Sequence, residues 1–150
     1  KTEVMRNITE FTLGTEFGVV LFNQQIAKFP ENGFTAEVTP ETRENAAEFI
    51  QSVQGGSGSC VLEALLAALQ FAEAAKARTK LIIYVGDGAG LCGPRDESEY
   101  LSATLKQVTE RNHGNAWIST IGVLEPIRQN EKFLIDLAEQ NGGSYTRIER

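Results

Sequence analysis

The chain has 150 residues, 41% hydrophobic and 23% charged, with a formal net charge of -6. That size and composition fit one globular domain with a sizeable core and exclude a disordered chain. The acidic balance argues against a nucleic-acid partner, which needs a basic face. No apolar run approaches the roughly 20 residues that span a bilayer.

The chain opens at Lys1 without an initiator Met or a signal-peptide pattern, so upstream residues, anchors or targeting signals are expected to lie outside it. Val4, Ile8 and Phe11 are spaced i, i+4, i+7 and predict a helix, closed by Gly14, with no capping signal at its start. Asn7-Ile8-Thr9 matches a glycosylation sequon but falls on that helix. FGVVLF at 17–22 reads as a continuous interior strand, Asn23-Gln24 as a turn, and 25–29 as a short antiparallel edge strand. After the loop Pro30-Glu31-Asn32-Gly33, Thr39-Pro40 marks an N-cap and first helical residue, with Ala46, Phe49, Ile50 and Val53 as the apolar face.

The glycine-rich GGSGSC at 55–60 leads into an Ala/Leu-rich stretch, 60–77, that predicts a well-buried helix. Leu81–Gly86 is an apolar run too short for a buried helix and broken abruptly by Asp87-Gly88, so it reads as a central parallel strand covered on both faces. A loop over 87–96, DGAGLCGPRD, precedes an amphipathic helix at 97–111. A strand at 115–123 follows, with Trp117 expected in the core. Phe133, Leu134, Leu137 and Ala138 mark a last helix stopped by Gly142-Gly143, and 145–148 is a final edge strand. This alternation predicts a three-layer α/β sandwich around a doubly wound, mainly parallel, Rossmann-like sheet, in one domain over 1–150.

In open α/β sheets ligands bind beyond the carboxyl ends of the strands. Asp87 sits there, and Ser57 and Ser59, at a helix N-terminus, are expected on the same rim. Hydroxyls and a carboxylate are the hard oxygen donors that Mg²⁺ prefers. Each has a plainer reading: Asp87 as a turn residue before a left-handed Gly88, Ser59 as a helix cap, Ser57 as loop polarity. Gly55, Gly56 and Gly58 could instead cradle a phosphate, but GGSGSC has neither the P-loop ending nor the G-x-G-x-x-G spacing.

Cys60 and Cys92 are too few for a disulfide scaffold and read as two small semi-buried thiols rather than a bridge, Cys60 having a lowered thiol pKa at its helix N-terminus. His113 reads as an exposed turn residue, and Glu97, Glu99, Glu110, Glu131 and Glu139 as solvated helix faces.

Taken together, FGVVLF, GGSGSCVLEAL, KLIIYVGDG, ISTIGV and FLIDLAEQNGGSYTRI resemble, in order, a von Willebrand factor type A (VWA) domain. The resemblance implies a metal-ion-dependent adhesion site on the carboxyl rim, with Ser59 where the family has a Thr and Asp87 where it has its late Asp. It departs from the family in one large respect. No Asp-x-Ser-x-Ser occurs, and no strand precedes the first helix; the only aspartates are Asp87, Asp96 and Asp136. The resemblance puts the missing strand between FGVVLF and LIIYVGDG, so the domain is expected to be N-terminally incomplete, its two interior strands left with open edges.

The expected function is a non-enzymatic protein-binding module, serving adhesion or complex assembly, with a partial Mg²⁺ or other divalent-cation site. Its metal ligands would be Ser59 and Asp87, with Ser57, Gly58 and Gly88 contributing to ligand binding. The alternative is a nucleotide- or phosphate-using α/β enzyme built on the glycine-rich loop, disfavoured by the lack of a general base or rim lysine.

Overall fold

The structure, a computed structural model, describes residues 1–93, 96–124 and 130–149. Helix α1 (Thr2–Glu10) precedes four short strands, β1 (Glu16–Phe17), β2 (Val19–Phe22), β3 (Ile26–Phe29) and β4 (Ala36–Glu37). Helices α2 (Pro40–Ser52) and α3 (Val61–Ala74) follow, then β5 (Leu81–Gly86), α4 (Glu97–Asn112), β6 (Trp117–Leu124), α5 (Glu131–Gln140) and β7 (Gly142–Glu149). Helix α2 begins where its sequence says it should. Thr39 Oγ1 accepts from Thr42 N at 3.1 Å, Thr42 Oγ1 accepts from Thr39 N at 2.8 Å, and Pro40 opens the first turn. Asp96 Oδ1 caps α4 by accepting from Glu99 N at 2.9 Å, and the exposed His113 ends that helix in a left-handed conformation.

Strands β5, β6 and β7 form an all-parallel sheet in that order, with Leu81 opposite Trp117 through to Gly86 opposite Gly122. Parallel neighbours need crossovers, and α4 and α5 supply them. Strands β2 and β3 form an antiparallel hairpin, as the turn at Asn23-Gln24 predicts. The architecture is the α/β class expected, with a truncated sheet.

Two cores follow from strand alternation. Phe22 of β2 faces the larger core, formed by Leu65 and Leu69 of α3, Tyr84 of β5, Val108 of α4, Ile118 of β6 and Leu134 and Leu137 of α5. Val19 and Leu21, on the other face of β2, pack with Ile8 of α1 and Ala46 and Ile50 of α2. Helices therefore cover both faces of β2.

Three expectations are corrected here. The stretch 17–22 is two strands, not one: β1 pairs with β4, β2 pairs with β3, and the break falls at Gly18. There the backbone runs against α3 so closely that a Cβ would lie 2.9 Å from the Phe71 ring. Strand β5 is packed mainly on one face, where α3, α4 and α5 all contribute to the core beneath Ile82 and Tyr84, while Ile83 and Val85 on the other face are half-buried and line the cavity between β2 and β5. Leu81 and Trp117, paired across β5 and β6 on the opposite face, are 55% and 57% exposed. Trp117 is thus not a core residue; Ile118, its neighbour on the other side of the pleat, is.

Strands β2 and β5 are not hydrogen-bonded to each other. Helix α3 packs behind both, and a cavity of about 1790 Å³ opens between them, lined also by α1 and by Leu65, Ala68 and Ala72 of α3. Each strand is paired along one edge, β2 with β3 and β5 with β6, so the other edges border this cavity.

Candidate functional site

The carboxyl ends of β2 and β5 meet at one rim, and the segment 55–60 bridges them. On the β2 side, Cys60 N donates to Asn23 O at 2.8 Å. On the β5 side, Ser59 N donates to Leu91 O at 3.5 Å and Leu91 N donates to Ser59 O at 3.1 Å, an isolated β-bridge between the two loops. One residue further along each strand of that bridge, Cys60 and Cys92 are joined in a disulfide with Sγ–Sγ 2.00 Å and Cα–Cα 4.9 Å.

The expectation of two free thiols is therefore corrected, and with it the lowered thiol pKa at Cys60. Both cysteines follow rim motifs, and the bridge brings the two chains into pairing distance at adjacent positions. Nothing in the local sequence around either cysteine encodes that approach.

Asp87 immediately follows β5, and its Oδ1 accepts from Ala89 N at 3.0 Å, the turn-forming bond its position suggested. Ser59 and Asp87 both line the large cavity, as does Gly58. Ser57 is exposed in the bend before Gly58 and is not part of the cavity lining. Gly88 is buried with φ 75°, and a Cβ there would lie 2.6 Å from Asn130 O, so it shapes the loop from beneath rather than facing the cavity. Pro94 and Arg95 of the predicted 87–96 loop lie outside the described residues.

The glycines of 55–60 have a packing role. A Cβ on Gly56 would come within 2.6 Å of Asn23 Nδ2, and one on Gly58, at φ 76°, within 2.7 Å of Gln24 Cγ. They let the loop lie flat on the β2–β3 turn. The lysines Lys76 and Lys80 that line the cavity precede β5, away from this rim.

Several rim-organising groups are not legible as such in the sequence. Glu97, expected on a solvated helix face, accepts through Oε1 from Gly90 N and from Asn130 Nδ2, both at 3.1 Å, and so holds the 87–93 loop against the start of α5. Glu131, also expected to be merely solvated, accepts from the Tyr145 hydroxyl at 2.7 Å and pairs with Arg147 at 3.1 Å. The Tyr100 hydroxyl accepts from Leu62 N at 3.0 Å and donates to Glu63 Oε2 at 3.1 Å. Burial pushes the Tyr100 hydroxyl above its ordinary value, and the Glu63 charge adds to this, so it stays protonated as a donor. Tyr84, directly under the rim, is pushed well up by burial and then by the neighbouring Asp87 carboxylate. The Cys60-x-x-Glu63 spacing was the one available signal: it puts both residues on one side of a first helical turn.

Among the described residues, no helix is long and apolar enough to cross a membrane. No protein-family model matches the sequence, and no curated protein sequence does. Solved structures do match the fold. A von Willebrand factor type A protein from Catenulispora acidiphila superposes with a TM-score of 0.80 at 20% identity over 98% of this chain. The conserved hypothetical protein BatB from Bacteroides thetaiotaomicron does so with a TM-score of 0.65 at 17% identity, again over 98%. The chain spans 33% of the first of these proteins and 77% of the second. The fold is that of a VWA-like domain.

Proposed function

We propose that the chain is a protein-binding module, of the adhesion or complex-assembly kind, that meets its partner at the rim joining β2 and β5. Ser59 and Asp87 are the metal ligands of a partial Mg²⁺ site there, and an open coordination position on the cation takes a partner carboxylate. Ser57, Gly58 and Gly88 shape the approach. The observation that supports this reading is the double tie, the Ser59–Leu91 bridge and the Cys60–Cys92 disulfide, between the loop carrying Ser59 and the loop that follows Asp87, both residues lining the same cavity. The donor set is chemically suited to Mg²⁺, being hard oxygen, but it offers two ligands and one negative charge. Mg²⁺ demands near-octahedral coordination, so most positions are left to water and binding is weak.

We also propose that 1–150 is a single domain completed by one further strand from the segment preceding Lys1. Among the described residues, two strand edges without a strand partner face the same cavity, and Lys1 lines it. The Lys1 ammonium group donates to the carbonyls of Gln51 and Val53, just before the rim loop. A strand leading into Lys1 would thus end at the rim, parallel to β5, and would be placed to supply further oxygen ligands. The phosphate-using alternative is less well supported, since Gly56 and Gly58 are taken up in packing on Asn23 and Gln24.

Water-proton relaxation with Mn²⁺ as the probe tests the site. A cation held by two protein ligands keeps most of its waters, so the relaxation enhancement is large per bound ion. It is expected to vanish in Asp87→Ala and fall in Ser59→Ala, while Ser57→Ala retains it. Enhancement indifferent to both Asp87 and Ser59 contradicts the assignment.

A further inference from the structure

We infer that Cys60, Glu63 and Cys92 form a second, chemically distinct metal site that opens when the disulfide is reduced, a thiolate–thiolate–carboxylate site for Zn²⁺. It does not depend on the Mg²⁺ reading. The two sulfurs and a Glu63 carboxylate oxygen all lie within 4.8 Å of one another. A borderline-soft cation with thiolate ligands takes Zn–S distances of about 2.3 Å and tetrahedral geometry, which puts two sulfurs about 3.8 Å apart. Sulfurs joined in a disulfide are closer than this, so the two separate once the bond is reduced. Rotation of the cysteine side chains supplies that without moving the backbone.

Three features preorganise the site. The Ser59–Leu91 bridge is a backbone tie independent of the sulfurs, so it keeps Cys60 and Cys92, each next to a bridged residue and 4.9 Å apart at Cα, close together on reduction. Cys60 occupies the N-cap position of α3, and a helix N-terminus favours the thiolate that a metal needs. Glu63 is exposed, which gives the ion an entry path, yet its carboxylate is oriented by the Tyr100 hydroxyl. Tyr100 is itself 4% exposed and pinned by Leu62 N. Such an orienting partner is the usual companion of a ligating carboxylate.

A dithiol reductant gives two electrons and two protons to the Cys60–Cys92 bond, leaving two thiols and the reductant's own disulfide. Zn²⁺ then displaces the two thiol protons to solvent, and Glu63 and one water complete four-coordination. Oxidation reverses the process and expels the ion, because a disulfide sulfur is no longer a thiolate ligand.

The test is a titration of the 150-residue chain with Co²⁺, a spectroscopic substitute for Zn²⁺, after reduction by a phosphine that does not bind the metal. The reduced chain is expected to take up one Co²⁺ with a sulfur-to-cobalt charge-transfer band, and Zn²⁺ to bleach that band at stoichiometric amounts. The oxidised chain and Cys92→Ser show no band. Glu63→Gln weakens binding roughly ten- to hundredfold. Circular dichroism is followed in parallel. The inference fails if the folded reduced chain gives no band, or if Glu63→Gln leaves the affinity unchanged. It also fails if reduction abolishes the native spectrum and Zn²⁺ does not restore it.

Discussion

Ser59 and Leu91 exchange backbone hydrogen bonds, Ser59 N to Leu91 O at 3.5 Å and Leu91 N to Ser59 O at 3.1 Å. Through this exchange the loop that caps α3 and the loop that leaves β5 become one surface. The disulfide repeats the same tie covalently, one residue on.

Cutting that covalent tie has a size that chain entropy sets. The bridge closes a loop with a sequence separation of 32, and such a loop is worth about 3–4 kcal/mol through the unfolded state. The Cys60→Ser/Cys92→Ser double variant is therefore expected to melt about 10 °C lower, since about 1 kcal/mol moves Tm by about 2–4 °C at this size. Calorimetry checks it, and an unchanged Tm would mean that the bridge does not form.

Gly88 sits under the loop that presents Asp87, at φ 75° and with Asn130 O where a Cβ would be. Gly88→Ala must relieve a 2.6 Å approach to backbone as well as a left-handed conformation, together on the order of 2–3 kcal/mol. Denaturant unfolding measures the loss. A change below about 0.5 kcal/mol would contradict the loop geometry.

The Asn112 side chain is buried, with Nδ2 donating to Ala116 O at 2.8 Å and to Asn141 Oδ1 at 2.9 Å, while Oδ1 accepts from Ala116 N at 3.0 Å. Asn112→Leu removes the side-chain partner of the Ala116 N–H and carbonyl and of Asn141 Oδ1. Each orphaned group costs about 1–3 kcal/mol, so this one substitution is expected to cost more than any exposed polar change on α4. Urea denaturation of Asn112→Leu beside Lys106→Ala makes the comparison, and equal losses would contradict it.

The Glu131–Tyr145 pair gives the folded state a pH signature at both ends. The Tyr145 hydroxyl, and then Arg147, hold the Glu131 carboxyl below its ordinary 4.5. That contribution is present above the unfolded value and is lost as pH falls through the lower, folded one. Tyr145 moves the other way, pushed up to about 12 by burial and by its bond to Glu131. Its contribution is full below the ordinary value of about 10 and is lost as pH rises through about 12. Tyr145→Phe is thus expected to be less stable than the parent from about pH 5 to 10, the gap closing toward either extreme. A difference that does not vary with pH would rule out the coupling.

How far the fold can be read from the sequence depends on how local each cause is. Helix α2 was legible because Thr39-Pro40 marks its start, and β5 because an apolar run meets Asp87-Gly88. The side of the sheet on which Trp117 lies was not, since alternation separates it from Ile118 without saying which face the helices cover. The break at Gly18 falls where the backbone meets Phe71, on a helix reached only after β2, β3, β4 and α2. The candidate site divides the same way. Asp87 and Ser59 stand out by type and position, whereas the Cys60–Cys92 bond and the anchoring of the rim by Glu97 exist only once two distant loops have been paired.

On the proposed reading the rim holds a cation weakly, and through Asp87. Calorimetric titration of residues 1–150 with Mg²⁺ and with Mn²⁺, for the parent and for Asp87→Ala, addresses it most directly. Two protein ligands and one compensating charge predict a dissociation constant on the order of millimolar or weaker in the parent, and no heat above dilution in the variant. Micromolar binding that Asp87→Ala leaves unchanged would contradict both the site and the idea that a further strand completes it.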